Sequence, residues 1–164
     1  MSTGKRKPDV GVVLGSESDR AVADAAGDVL GKLGIPFEVV IASAHRHPDD
    51  VRRYARGAER RGLKVLIAVA GLAAALPGVL ASHTNLPVLG VPMPAGHLKG
   101  IDAILSMVQL PSGVPVGTFG LGETGGKNGA LFAARMLARN DAALRARFVR
   151  YMSALRGATR GKQK

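Results

Sequence analysis

The sequence contains no cysteine and no tryptophan, and only four phenylalanines and two tyrosines among 164 residues. Without cysteine there is no disulfide framework, no thiolate nucleophile and no Cys-ligated zinc. With so few rings, the core must rest on Val, Leu, Ile and Ala. Side chains that small suit helices packed closely on a sheet better than a loose sandwich. No apolar run approaches the roughly 20 residues that cross a bilayer. Residues 1–8 are polar and basic, and no apolar stretch of signal-peptide length follows them. A soluble, cytoplasmic chain with no membrane partner is therefore expected. No His, Asp and Glu spacing resembles a metal site, and no serine sits in a G-x-S-x-G elbow. The expected chemistry is proton transfer and positioning, with no metal and no covalent nucleophile.

Acidic residues are also scarce: 12 against 23 basic ones, for a net charge of +11. A nucleic-acid binder would account for that imbalance, so its location matters. Lys5, Arg6, Lys7, Arg156, Arg160, Lys162 and Lys164 lie in the two chain ends, which hold no acid at all. Much of the excess thus belongs to solvated ends, and no aromatic stacking platform accompanies it. No specific nucleic-acid partner is expected. Residues 8–157 read as one domain, with 1–7 and 158–164 as flexible basic tails.

What the chain has in quantity is alternation. Residues 10–14 form a short apolar run ended by Gly15, which reads as a buried strand. Residues 16–19 have the S-x-x-D form of a capping box. Val22, Ala26, Val29, Leu30 and Leu33 follow at helical spacing until Gly34. Residues 37–42 read as a second strand. Pro48 suits the first turn of a second helix, with Asp49 and Asp50 near its positive end and Gly62 after its last turn. Residues 65–69, 87–91 and 114–119 give three further strands. Ile101, Ile104, Leu105 and Val108 line a third helix, and residues 128–137 and 142–155 two more. Strand and helix alternating in this way predict a parallel sheet with helices on both faces. Ligands of such folds bind beyond the carboxyl ends of the strands.

Three loops at those ends hold the candidate residues. In the first, Gly15, Ser16, Ser18 and Asp19 join a strand end to a helix N-terminus, where free N–H groups and hydroxyls favour an anion. Asp19 there suits vicinal sugar hydroxyls. Helix capping by Ser16 and Asp19 explains the same residues equally well. In the second, Ser43, Ala44, His45 and Arg46 set a hydroxyl, an imidazole and a guanidinium side by side. Arg46 can hold a phosphate through two parallel bonds, and an imidazole exchanges protons near neutral pH. His47 is the better candidate for a mere helix cap, and His83 and His97 read as surface or packing residues. The third loop, residues 70–78, is almost all small. It offers close backbone approach to a flat ligand, or simply tight packing.

Taken together, GSESD at 15–19, SAHRHP at 43–48, LPG at 76–78, GVP at 90–92 and QLPSGVPVGT at 109–118 closely resemble the N5-carboxyaminoimidazole ribonucleotide mutase family, in order and spacing, over nearly the whole chain. The resemblance implies a three-layer, flavodoxin- or Rossmann-like α/β fold, a homo-octamer, a ribonucleotide substrate and no cofactor or metal. It places Ser16, Ser18 and Arg46 on the substrate phosphate, Asp19 on the ribose, and His45 as the catalytic histidine. It places Ser43, Ala44, Gly71, Ala73, Ala74 and Leu76 around the imidazole and the migrating carboxylate. In the usual mutase pattern the third loop reads close to A-G-G-A-A-H-L-P-G. Here Leu72 stands at the second glycine and Ala75 at the histidine. The related carboxylases, which take up free carbon dioxide, also lack that histidine but usually carry Lys where this chain has Arg46. Direct carboxylation of aminoimidazole ribonucleotide, carboxylation of another nucleotide's ring, and a non-enzymatic nucleotide-binding module are the competing readings.

Overall fold

The computed structural model describes residues 7–160, with side chains through residue 157. Five strands, β1 (Val10–Leu14), β2 (Phe37–Ile41), β3 (Val65–Ala70), β4 (Val88–Pro92) and β5 (Gly117–Thr118), form one parallel sheet in the order β2-β1-β3-β4-β5. The helices are α1 (Arg20–Lys32), α2 (Pro48–Arg61), α3 (Leu76–Ala81), α4 (Ile101–Val108), α5 (Gly122–Leu137) and α6 (Ala142–Arg160). The expected tails lie mostly outside the described residues, and α6 continues to Arg160.

Side chains alternate across each strand, so each face of the sheet meets a different helix layer. Val10, Val12 and Leu14 of β1, with Val65, Ile67 and Val69 of β3, pack against α1, α5 and α6. Val13, Leu66, Ala68 and Ala70 pack against α2, α3 and α4. This is the expected three-layer α/β architecture, with the 2-1-3-4-5 strand order of flavodoxin-like sheets. In the register, Leu14 lies beside Ile41 on one flank and Val69 on the other. The chains leaving β1, β2 and β3 therefore emerge at one level, around the point where the strand order reverses.

Local signals set most boundaries. Pro48 opens α2 and Gly62 closes it in the left-handed conformation, φ +103°. His47 occupies the N-cap of α2, but its side chain makes no capping bond. Four elements differ from expectation. α3 is a helix inside a segment that reads as loop, because six residues opening Leu-Pro-Gly are too short for a helical period. β5 pairs only two residues with β4; Pro115 cannot donate to a ladder, and Val114 and Val116 turn toward the α2–α4 layer instead. α5 begins at Gly122, six residues early. Its Gly125, Gly126 and Gly129 are buried. An added side-chain carbon would clash with the Gly120 carbonyl at Gly125 and with Val22 of α1 at Gly126, while at Gly129 it would make ordinary contact with Val91 and Ile67. In α4 the inward residues are Ala103 and Met107, so Ile101, Leu105 and Val108 face outward at 59%, 49% and 54% exposure.

Candidate active site

Every residue proposed as catalytic or substrate-binding in the three loops lines one cleft of about 430 Å³ beyond the carboxyl ends of β1, β2 and β3, while His47 does not. The β1 loop contributes Gly15, Ser16, Ser18 and Asp19; the β2 loop Ser43, Ala44, His45 and Arg46; the β3 loop Gly71, Ala73, Ala74 and Leu76. Ala70, Leu72 and Ala75 complete the β3 wall, and Ala95 enters from the loop after β4. The strand-end rule points to that last loop, but nothing in a lone alanine marks it as lining a site. A larger groove of about 820 Å³, lined by His83, Pro87 and Phe132 among others, lies elsewhere and holds none of these residues. His83 is half-buried there and His97 is exposed. Among the described residues, no three of His, Asp and Glu gather as metal ligands, and no helix is long and apolar enough to cross a membrane.

In the β1 loop a single 3-10 turn, Glu17–Asp19, precedes α1. Ser16 caps that turn, its Oγ accepting from the Ser18 N–H at 3.4 Å, while Asp19 makes no side-chain bond to the start of α1. Helix capping thus accounts for Ser16 but leaves Asp19 unexplained. Asp19 is 7% exposed and its Oδ1 accepts from Ser18 Oγ at 3.2 Å. Burial pushes its carboxyl above the ordinary carboxylate value; hydrogen bonding from Ser18 and the Ser16 backbone opposes the shift. Folded Asp19 therefore holds its proton more tightly than the unfolded chain does. Its contribution to stability is present at acid pH and lost as pH rises through the raised value. Asp19→Asn carries no charge to desolvate. It should raise the Tm of the ligand-free protein at pH 7, with the gain shrinking as pH falls toward 3.8. An unchanged or lower Tm at pH 7 would mean that the hydrogen bonds outweigh the burial of charge.

The β2 loop is a turn closed by the His47 N–H donating to the Ser43 carbonyl at 2.9 Å. The Arg46 backbone N–H and its Nε both donate to Ser43 Oγ at 3.3 Å. Ser43 thus aims the guanidinium, and among the described residues Arg46 forms no ion pair with a carboxylate. His45 is exposed on the same turn. Across from these polar groups stands a wall of alanine, glycine and leucine from the β3 loop. It is tightly curled by Ala74 N–H to Leu72 O at 2.8 Å and Ala75 N–H to Ala73 O at 2.7 Å. One side of the cleft can bind an anion and move protons; the other can only exclude water and fit a flat apolar face.

Fold and cleft define a flavodoxin-like α/β protein with a cleft, at the reversal of its strand order, lined by hydroxyl, imidazole, guanidinium and carboxylate side chains. The chain belongs to the AIR carboxylase family, whose model matches residues 9–157. An N5-carboxyaminoimidazole ribonucleotide mutase of Mycobacterium tuberculosis (strain ATCC 25618 / H37Rv) is 49% identical over 155 residues, covering 94% of this chain and 88% of that one. A mutase of the same name from Pseudomonas aeruginosa is 53% identical over 128 residues, 78% of each chain. Among solved structures, Treponema denticola PurE superimposes with a TM-score of 0.82 at 27% identity, covering 93% of this chain and 94% of that one.

Proposed function

We propose that this chain converts N5-carboxyaminoimidazole ribonucleotide to 4-carboxyaminoimidazole ribonucleotide in de novo purine biosynthesis. The observation that carries the reading is the single cleft uniting His45, the Ser43-aimed Arg46 and the β1-loop hydroxyls with an apolar wall. Relatives of that activity, about half identical over most of the chain, support it.

Arg46, Ser16 and Ser18 hold the phosphate, with N–H groups of the β1 loop around Gly15 beside them. Asp19 accepts from the ribose hydroxyls. Ser43, Ala44, Gly71, Ala73, Ala74 and Leu76 enclose the imidazole and its carboxylate. His45, protonated, gives its proton to the carbamate nitrogen as the N–C bond breaks and carbon dioxide leaves. Ring carbon 4, made nucleophilic by the amine, attacks that carbon dioxide. Neutral His45 then removes the proton from carbon 4 and aromaticity returns. One imidazole serves as acid and then as base, so no proton is gained or lost overall. The small-residue wall keeps the two fragments together, which makes recapture effectively unimolecular.

The test follows the 4-carboxylated product by ultraviolet absorbance in two reactions. One holds N5-carboxyaminoimidazole ribonucleotide without bicarbonate, the other aminoimidazole ribonucleotide with excess bicarbonate. Fast turnover in the first is expected. Turnover only in the second would make the enzyme a direct carboxylase, and silence in both would assign the cleft another substrate.

The finer part of the proposal is a cytoplasmic homo-octamer of this chain. Its support is the outward apolar stripe of α4: Ile101, Leu105 and Val108, together with exposed Leu98 nearby. Such a stripe is costly to leave in water and suits a second copy. The outer face of α6, with Val149 and Arg150 exposed, is a further intersubunit candidate. Leu105→Asp should at least halve the assembled mass in sedimentation, because a charge would then be buried without a partner. An assembly of unchanged mass would place the contact elsewhere.

A further inference from the structure

Leu72 is a leucine in a backbone conformation that favours glycine. Its φ is +56°, in the left-handed region that a side chain enters only at a steric cost. Neither hydrogen bonding nor core packing repays that cost. The Leu72 carbonyl accepts from Ala74 through the backbone alone, and the side chain is 54% exposed, outside both layers of the core. It lines the cleft, and it reaches across to the loop after β4. There, a methyl group placed on Gly96 would come within 2.6 Å of Leu72 Cδ2. A side chain thus stands where the mutase pattern has none, and Gly96 opposite has no side chain to obstruct it.

We propose that Leu72 is a positioning residue for the carboxyl transfer. Bridging from the β3 loop to Gly96, it closes the apolar end of the cleft and holds released carbon dioxide beside ring carbon 4. The inference rests on the mutase reading. After the N–C bond breaks, carbon dioxide either forms the new C–C bond or escapes and hydrates to bicarbonate. Free aminoimidazole ribonucleotide remains in the second case. Leu72 shifts that partition toward capture by occupying the exit, without taking or giving a proton.

The test supplies substrate carrying 13C in its carboxyl group, in excess unlabelled bicarbonate, and reads label in the 4-carboxylated product by mass spectrometry. A protein-free blank corrects for spontaneous loss from the carbamate. Leu72→Gly should raise the fraction of label lost by about threefold or more over the parent chain, since proximity governs recapture. Its Tm should hold or rise, because glycine adopts φ +56° freely. Leu72→Met, which restores length and apolar bulk, should restore retention. Equal retention in parent and Leu72→Gly would overturn the proposal alone, as would label loss that Leu72→Met does not reverse. No product from the parent chain would overturn the mutase reading and this proposal with it.

Discussion

His45→Asn is expected to lower kcat about 10⁴-fold, or about 5 kcal/mol of barrier, while product binds with a Kd within a few-fold of the parent value. A single general acid–base contributes about 10²–10⁴ to rate, and the proposed mechanism uses His45 in both halves of the reaction, so the upper end applies. Asparagine preserves much of the volume and the polarity but carries no proton that it can release and recover. Stability should scarcely change, since His45 is exposed on a turn and substitutions at such positions usually stay within about 0.5 kcal/mol. Steady-state kinetics and calorimetric titration with product check the two halves. Turnover within tenfold of the parent would assign the proton transfers to another group. Lost binding alongside lost turnover would make His45 a ligand contact first.

The second large effect lies away from the cleft. Gly126→Val should cost about 3 kcal/mol and lower Tm by about 10 °C, through overpacking between α1 and α5. Even the first carbon of a side chain at Gly126 would lie 2.7 Å from Val22 Cγ1 and 2.9 Å from the Val22 carbonyl oxygen. A side chain could rotate away, but the carbonyl moves only if α1 moves. α1 follows directly on the Gly15–Asp19 loop, so displacing it should also raise KM. Gly31 on α1 has nothing within 4 Å of an added carbon. Gly31→Ala is the control and should stabilise by up to about 1 kcal/mol. A Tm within about 2 °C of the parent for Gly126→Val would show slack between the two helices.

The same glycines show where reading the sequence falls short. In a bare sequence, GETGGKNG resembles a loop, because glycine is among the weakest helix formers. The need for glycine comes from contacts the sequence does not show: the Gly120 carbonyl at Gly125 and Val22 of α1 at Gly126 leave no room for a side chain. α2 is the opposite case, with both ends legible: Pro48 fits a first turn, and Gly62 a left-handed stop. That the candidate residues gather in one cleft was legible for a related reason. His45 and Arg46 are adjacent in the chain, the β1-loop residues span five positions, and strand ends in a parallel sheet converge whatever the detail of packing. The α4 stripe was visible as helical periodicity, but its direction was not. An apolar face reports that something covers it, and Ala103 and Met107 show that the sheet covers a different one.

The sequence alone determined the alternation of strand and helix, the architecture that alternation allows, and the two loops in which hydroxyl, imidazole, guanidinium and carboxylate are concentrated, with a third made of small residues. Each of these rests on short-range signals: apolar period, a proline or glycine at a helix end, and neighbouring side chains. Tertiary structure alone decided that Asp19 is buried beside the cleft rather than capping α1. It also decided that Ala95 joins the wall, that Leu72 is bent into the left-handed region and reaches Gly96, and that α4 turns its larger side chains outward. Those outcomes depend on how closely distant segments approach, and burial, steric fit and the cost of a desolvated charge exist only once the partners are in place.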